Sequence, residues 1–132
     1  MGMPIAIKTT EGICFAFPDT CLTPTPAGPV VPVPYPNIGE LGQAVMVSTR
    51  VKINGKPVIL QGSEIPMSSG DEAGSLGGVL SGKIKGRVTF ITSSQRVRIE
   101  GRGVVRLGDI TMQNDSNAVG TVLNGSPGVM GG

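Results

Sequence analysis

The chain lacks histidine and tryptophan, and its 132 residues include only three phenylalanines and one tyrosine. Histidine is the usual general base and a common metal ligand, so its absence excludes Ser-His-Asp and Cys-His catalytic arrangements. We therefore predict no catalytic residues and no enzymatic activity for this chain. With so few large aromatic side chains and 21 glycines, the core must consist mostly of aliphatic residues on short, sharply turned elements, which favours an all-β fold.

Charge argues against a nucleic-acid partner. The net charge is only +2, which gives no general attraction to nucleic acids or anionic surfaces. Seven of the eleven basic residues fall between Lys83 and Arg106, but Phe90 is the one aromatic residue there, so bases would find few stacking partners. We interpret this stretch as the solvated side of two strands.

Long apolar runs are also missing. No window approaches the roughly 18 apolar residues that a membrane span requires. The amino-terminal sequence lacks the charged start and long apolar stretch of a signal peptide. We expect synthesis and folding in the cytoplasm, with any export by another route.

Cysteine is scarce, and Cys14 and Cys21 are the two in the chain. Three interpretations stay open for them: a disulfide in an oxidising compartment, half of a zinc site, or two reduced core residues. Two thiols alone cannot close a tetrahedral zinc site, so the sequence assigns no metal ligands.

Proline, by contrast, is concentrated in one stretch. Seven of the eleven prolines lie in FPDTCLTPTPAGPVVPVPYPN, residues 17–37. Proline fixes φ, removes a backbone donor and pushes the preceding residue into an extended conformation, so this stretch cannot be helical. We predict a stiff, extended strap in which Pro32, Pro34, Tyr35 and Pro36 brace the domain or contact a partner.

Short strands are predicted on both sides of the strap. Residues 3–8 and 12–17 are apolar runs typical of two strands or a hairpin, and residues 37–44 favour a helical turn. The alternation in residues 45–53 predicts a half-buried strand, followed by a hairpin at Asn54-Gly55. Residues 62–82 have the composition of a loop.

One segment is repeated. VKINGKPVILQG at residues 51–62 aligns without a gap with VRIEGRGVVRLG at residues 97–108. Each copy reads as one hairpin, and neither is large enough to bury its own apolar face. The pattern suggests units related by a pseudo-rotation.

Carboxylates give no clear catalytic pair. Asp71 and Glu72 are adjacent in a glycine-rich loop, where their side chains would diverge, so we predict a solvated turn. Asp109 follows the second repeat, where a carboxylate that caps a turn is expected.

Five motifs follow one another in order: FPDTC at 17–21, AGP with PVPYPN at 27–37, VKINGKPV at 51–58, GDEAG at 70–74, and residues 97–109. Together they resemble the PAAR-like spike-tip proteins of bacterial type VI secretion systems and related contractile injection systems. The resemblance covers about residues 10–115.

The resemblance implies a compact conical β-domain that sits on the flat end of a trimeric spike protein, of the valine-glycine repeat type or its phage-tail counterpart. Such a cone sharpens the spike for membrane puncture and often links it to a toxin. Self-similar hairpins would present a roughly three-fold, apolar base to the three-fold partner. We expect this domain at 1–115, with 116–132 as a glycine-rich tail that is mobile or bound by a partner.

Members of this family commonly bind a metal ion near the apex through histidines and a cysteine. The corresponding stretch here, residues 106–115, contains no histidine. We therefore expect no cofactor, with zinc as the alternative, and a tip held by packing and by Cys14 with Cys21.

Relatives often carry a toxin domain after the cone, whereas this sequence ends at Gly132. The expectation is a stand-alone tip with a non-covalently bound effector and a transient contact with the target membrane. It would assemble in the bacterial cytoplasm and be translocated on firing. An alternative is a proline-rich binding module or adaptor, in which PVPYP docks as a polyproline ligand in an aromatic-lined groove.

Overall fold

The computed structural model describes residues 3–9, 12–26, 28–53, 55–123 and 126–131, with the backbone alone at residues 3 and 126–131. Ala27 and Asn54, which belong to the sequence motifs, lie outside these ranges. The fold is all-β, as predicted. Its described elements are β1 Met3–Ile5, β2 Ile13–Thr25, β3 Gly28–Glu40, a 3-10 turn at Leu41–Gln43, β4 Lys52–Ile53, β5 Lys56–Pro57, β6 Glu64–Ile65, β7 Val88–Phe90, β8 Arg98–Ile99, β9 Arg102–Gly103, β10 Ile110–Gln113, β11 Ala118–Val122 and β12 Ser126–Gly131.

The predicted helical turn is present as that single 3-10 turn. Among the described residues, no helix is long and apolar enough to cross a membrane.

The main sheet has six strands within the described ranges, in the order β3-β2-β11-β10-β7-β6. Its pairs are antiparallel, and alternate residues such as Cys14 and Ala16 on β2 or Val88 and Phe90 on β7 turn inward. Cys14, Val88 and Phe90 join the main hydrophobic cluster, which also contains Ala6, Leu41, Ala44, Ile59, Ile65, Val105 and Val122. A fully buried aliphatic side chain of this kind contributes about 1.5–3 kcal/mol to folding.

The proline-rich strap is extended, as predicted, and forms a long hairpin. β2 and β3 pair from Ile13↔Glu40 to Thr25↔Gly28, with an irregular register between Ala16 and Asp19. β3 lies at the edge of the sheet. At an edge, the N–H groups that its prolines lack do not cost the sheet any hydrogen bonds. A proline-rich edge also prevents another strand from adding to the sheet.

Two local predictions differ, in part, from the structure. Of the two alternatives for residues 3–8 and 12–17, two strands are present but no hairpin, because β1 pairs with β12 and β2 pairs with β3 and β11. The alternating stretch from Val45 is regular strand only at Lys52–Ile53. Met46 has a positive φ of 57°, which interrupts the strand. The Ser48 N–H donates to the Val58 carbonyl (3.0 Å), but the Val58 N–H donates to the Ser48 hydroxyl (2.7 Å), so a side chain replaces one of the two backbone bonds there.

The predicted tail at 116–132 also differs. β11 lies inside the six-stranded sheet between β2 and β10, and β12 pairs with β1. Low apolar content did not predict this attachment, which combines backbone pairing of β11 and β12 with burial of the Ala118 and Val122 side chains.

Candidate functional site

Three backbone segments meet in a closed ring at one end of the molecule. The Ala6 N–H donates to the Val105 carbonyl (2.8 Å), the Val105 N–H to Ile59 (2.9 Å), and the Ile59 N–H to Ala6 (3.1 Å). A second set of bonds runs around the ring in the opposite cyclic order: Lys8 N–H to Pro57 O, Gln61 N–H to Gly103 O, and Leu107 N–H to Pro4 O. The three segments are therefore related by a pseudo-three-fold axis.

Each ring segment continues from a two-stranded hairpin. The two sequence repeats supply the hairpins β4–β5 and β8–β9, with equivalent register: Lys52↔Pro57 and Arg98↔Gly103. The third hairpin is β12–β1, in which Pro4 lies opposite Met130. Because Pro4 takes the same place in the ring as Pro57 and Gly103, this pair is the third unit, assembled from two distant parts of the chain.

The ring has an apolar side that faces away from the sheet. Ala6, Ile59 and Val105 belong to the main cluster, whereas their neighbours along each segment belong to a second, smaller one: Ile5, Val58, Leu60 and Val104. Ile53, Val97 and Ile99 pack against this second cluster while remaining partly exposed, and the adjacent Val51 is exposed. We call Val51, Ile53, Val97 and Ile99 the basal patch; they occupy matching positions in the two sequence repeats.

Hydrogen bonds to Glu100 link the hairpin β8–β9 to the segment that precedes the hairpin β4–β5. The Glu100 carboxylate accepts the backbone N–H groups of Thr49, Arg50 and Val51 at 2.9–3.3 Å. These hydrogen bonds, that from Arg50 foremost, lower the pKa of Glu100 to about 2. The tip of the second repeat is thus tied to the start of the first.

A buried polar cluster lies far from the ring. β2 begins close to the ring, where the Leu123 N–H donates to the Ile13 carbonyl, and it reaches Asp19 six residues later, roughly 20 Å along the strand. We call the following buried residues the apical cluster: Asp19, Cys21, Asn37, Ser68, Asp71, Asn114 and Asn117. They come from the strap, from the loop between β6 and β7, and from the turn between β10 and β11.

Asp19 is the centre of the apical cluster. Its carboxylate accepts the Nδ2–H groups of Asn37 (3.2 Å), Asn114 (3.2 Å) and Asn117. The Cys21 thiol donates to the same carboxylate, with Sγ 3.6 Å from Oδ1. Three carboxamides and one thiol therefore surround one acidic side chain.

Asp71 is also part of this cluster, and the prediction that it lies in a solvated turn is wrong. Its side chain is fully buried, and its carboxylate accepts the Lys85 N–H (3.0 Å) and the Asn37 Nδ2–H (3.4 Å). Burial is the larger cause and the neighbouring Asp19 is the second, and together they raise the pKa of Asp71 to about 7. The neighbouring Glu72 is exposed, as predicted for both Asp71 and Glu72.

The raised pKa of Asp71 predicts a pH-dependent stability. The folded chain binds a proton on Asp71 that the unfolded chain releases near pH 4, so the free energy of unfolding should fall as the pH rises from about 4 through about 7. The ionisable side chains that face Asp71 are Asp19 and Cys21. Asp71→Asn, which cannot titrate, should flatten this slope in urea denaturation followed by circular dichroism from pH 4 to 8. An unchanged slope would show that another group causes it.

The structure does not bring the two cysteines together. Both thiols are free and buried, Cys14 in the main hydrophobic cluster and Cys21 in the apical cluster. They lie seven residues apart on β2, so roughly 20 Å separates them, too far for a disulfide or a shared zinc ion. Burial raises the pKa of each thiol to about 12, and the carboxylates of Asp19 and Asp71 add to the effect at Cys21.

The apical cluster is also the place to test for the metal ion that the family resemblance implies. Ligand atoms of Asp19, Cys21 and Asp71 lie within 4.8 Å of one another, close enough to share an ion. However, the groups that surround Asp19 are N–H and S–H donors, which favour an anion and repel a cation. Among the described residues, every buried side-chain nitrogen and oxygen already has a hydrogen-bond partner. The residues present, in this arrangement, do not fit a metal ion.

The proline residues singled out from the sequence lie beside this cluster. On β3, Pro32, Pro34 and Pro36 are exposed, whereas Tyr35 is half-buried and lies opposite Asp19 on β2. The Tyr35 hydroxyl lies 2.8 Å from the Thr23 hydroxyl.

Sequence reasoning missed the apical cluster, although its signals were in the motifs. FPDTC contributes Asp19 and Cys21, PVPYPN contributes Asn37, and GDEAG contributes Asp71. Asp109 does cap its turn, as predicted: its carboxylate accepts the Arg106 N–H at 2.6 Å.

A shallow surface groove of about 510 Å³ lies near the ring. It is lined by Gln61, Ile91, Thr92, Ser93, Ser94, Gln95 and Arg98. These residues include no carboxylate and no thiol, so the groove offers no paired nucleophile and base.

Comparison with known proteins agrees with this fold and these motifs. Over 126 residues, the chain is 38% identical to the DNase toxin Tse7 of Pseudomonas aeruginosa strain PAO1; the match covers 90% of this chain and 33% of the toxin. The chain thus spans about a third of the length of this curated relative. No solved structure gives a significant match. The sequence profile described as the toxin PAAR-like domain matches residues 12–120, and the chain therefore belongs to the toxin PAAR-like domain family.

Proposed function

We propose that this chain is the structural tip of a contractile injection machine, capping the end of a trimeric spike protein. The supporting observation is the closed ring of backbone hydrogen bonds formed by three equivalent segments. A single chain that docks coaxially on a three-fold partner needs three similar contact surfaces. The three hairpins supply them, and the basal patch gives the ring an apolar outer side.

The two ends of the molecule have different roles in this proposal. The basal patch meets the flat end of the spike, where exposed strand ends offer hydrogen-bonding groups and apolar surface. The apical cluster and the strap form the leading end, which contacts the target membrane. The machine assembles in the bacterial cytoplasm, and the tip leaves the cell on firing.

We further propose that this chain carries no enzymatic activity. The relative named as a DNase toxin is about three times as long, so its nuclease activity is assigned to the part that this chain does not match. The absence of histidine and the hydrogen-bonded state of both apical carboxylates support this assignment. An effector, carried separately or joined to the tip, would supply the toxic activity.

The alternative of a polyproline ligand has less support. A polyproline II ligand must offer a free, unpaired backbone to its receptor. Pro32 and Pro34 instead lie on a strand that is paired with β2 along its length.

The test is a binding measurement with the purified trimeric spike protein encoded beside this chain. Light scattering after size-exclusion chromatography should give one chain per spike trimer. Replacing two repeat-related residues of the basal patch, Ile53→Asp with Ile99→Asp, should weaken binding by at least about 100-fold, because charges would be buried without partners.

Leu80→Asp is the matched control. The Leu80 side chain is 79% exposed and the Leu80 backbone N–H donates to Asn117 Oδ1, so Leu80 lies at the apical end. This variant should bind within about three-fold of the unchanged chain. If the spike does not bind, the proposed function fails; if both variants bind equally, the assignment of the basal patch fails.

A further inference from the structure

We propose that the apical cluster replaces the metal ion of related tips with an anionic centre, the Asp19 carboxylate, held by carboxamide N–H donors. A metal site gathers lone pairs around a cation, whereas this cluster gathers N–H groups around a carboxylate. Both arrangements tie distant segments of chain to one point. They differ in the sign of the charge at the centre.

The orientation of the carboxamides follows from the backbone. Asn114 Oδ1 accepts the Gly86 N–H at 2.8 Å, and Asn117 Oδ1 accepts the Leu80 N–H at 2.8 Å. Backbone N–H groups can only donate, so each carboxamide oxygen must face away from Asp19. Each Nδ2 is thereby fixed toward the carboxylate.

Asn37 is oriented by a second chain of bonds. Gln113 Nε2 donates to the Asn37 backbone carbonyl (3.0 Å), which fixes the direction of the glutamine carboxamide. The same Nε2 donates to Asn37 Oδ1 (2.8 Å), so Asn37 Nδ2 must point to Asp19, Ser68 and Asp71. The hydrogen bonds of the surrounding backbone therefore require all three carboxamides to present N–H donors to the Asp19 carboxylate.

The charges nearby agree with an anionic centre. The described ion pairs join Lys83 and Arg87 to Asp115, Arg87 to Glu64, and Arg106 to Asp109, so none includes Asp19 or Asp71. The carboxylate of Asp19 is thus balanced by hydrogen bonds rather than by a cationic side chain. The buried Cys21 thiol stays protonated and adds a donor, whereas a metal ligand would have to be a thiolate.

The cluster holds a turn that would otherwise be unfavourable. Asn114, Asp115 and Ser116 all have positive φ, between 52° and 71°, a left-handed conformation that is unfavourable for non-glycine residues. Asn114 is the first residue in this conformation and Asn117 follows the last, and both side chains donate to Asp19. The turn lies at the end of the stretch in which the resemblance leads us to expect histidine ligands.

Asn117→Asp tests the proposal because it replaces only the carboxamide nitrogen, which donates to Asp19 and to the Thr20 carbonyl (3.0 Å). The aspartate keeps an oxygen for the Leu80 and Ser81 N–H groups but replaces the N–H donor with an acceptor. With an anionic centre, the melting temperature should fall by roughly 10–20 °C and added zinc should not restore it. With a metal site, the variant would gain a ligand, and zinc would stabilise it.

Gln43→Glu is the matched control, since it makes the same chemical change at an exposed position and should shift the melting temperature by no more than about 2 °C. The unchanged 132-residue chain, purified from zinc-supplemented medium, should contain far less than one metal ion per chain, and EDTA should leave its melting temperature unchanged. Stoichiometric metal with destabilisation by EDTA, or stabilisation of Asn117→Asp by zinc, would overturn the proposal. If Asn117→Asp cannot be purified, the measurements on the unchanged chain decide.

Discussion

Asp19→Ala is expected to reduce the free energy of unfolding by about 3–5 kcal/mol, because it leaves three buried carboxamide donors without their acceptor. Those donors belong to Asn37, Asn114 and Asn117, each held in place by other bonds and so unable to turn toward water. Urea denaturation followed by circular dichroism at pH 7 measures the loss. Because domains of ordinary stability unfold with about 5–15 kcal/mol, the variant should stay mostly folded in buffer and unfold at a much lower urea concentration.

The control for this variant is Glu40→Ala, which removes an exposed carboxylate from the neighbouring strand β3. Its free energy of unfolding should change by no more than about 0.5 kcal/mol. A loss below about 1 kcal/mol for Asp19→Ala would mean that the carboxamides find other acceptors, and that Asp19 is not the centre of the apical cluster.

Gly70→Ala is expected to destabilise the chain by about 4 kcal/mol or more, through backbone strain and a steric clash together. Gly70 has a φ of +113°, which side chains rarely permit. A Cβ at this position would lie 3.1 Å from the Pro36 carbonyl carbon and closer still to its oxygen. The strap would have to move away from the loop that carries Asp71, and the apical cluster would open.

Gly82→Ala separates these two effects. Gly82 also has a positive φ, of +71°, but nothing lies within 4 Å of the added carbon. Gly82→Ala should therefore lose only the free energy of unfolding that backbone strain costs, about 1–2 kcal/mol, in the same urea denaturation measurement. If Gly70→Ala and Gly82→Ala lose the same free energy of unfolding, the contact between the loop and the strap contributes nothing to stability.

Much of the architecture could be predicted from local patterns. The prolines between Pro24 and Pro36 fix an extended conformation whatever surrounds them, and the structure confirms an extended strap. The repeated hairpins were visible because both copies have two valines, one isoleucine and two glycines at matching positions within twelve residues. The turn cap at Asp109 depends on neighbours only three residues away.

The ring and the apical cluster depend on contacts between distant residues, which one sequence does not reveal. The third unit has no detectable repeat, because its strands β1 and β12 stand at opposite ends of the sequence. Asn117 meets Asp19 across a separation of 98 residues, and a single asparagine has no periodicity that would indicate its partner. Asp71 was misjudged for the same reason: its glycine-rich surroundings predict a surface loop, but the strap covers it.

The split third hairpin also constrains the order in which the chain can fold. The bond from the Ala6 N–H to Val105 cannot form until more than a hundred residues have left the ribosome, and β12 must then return to β1. Contacts of such large sequence separation form slowly, because loop-closure entropy must be overcome first. The ring and its basal patch are therefore the last part of the molecule to be completed, so a nascent or truncated chain would lack the pseudo-three-fold surface that the proposed function requires.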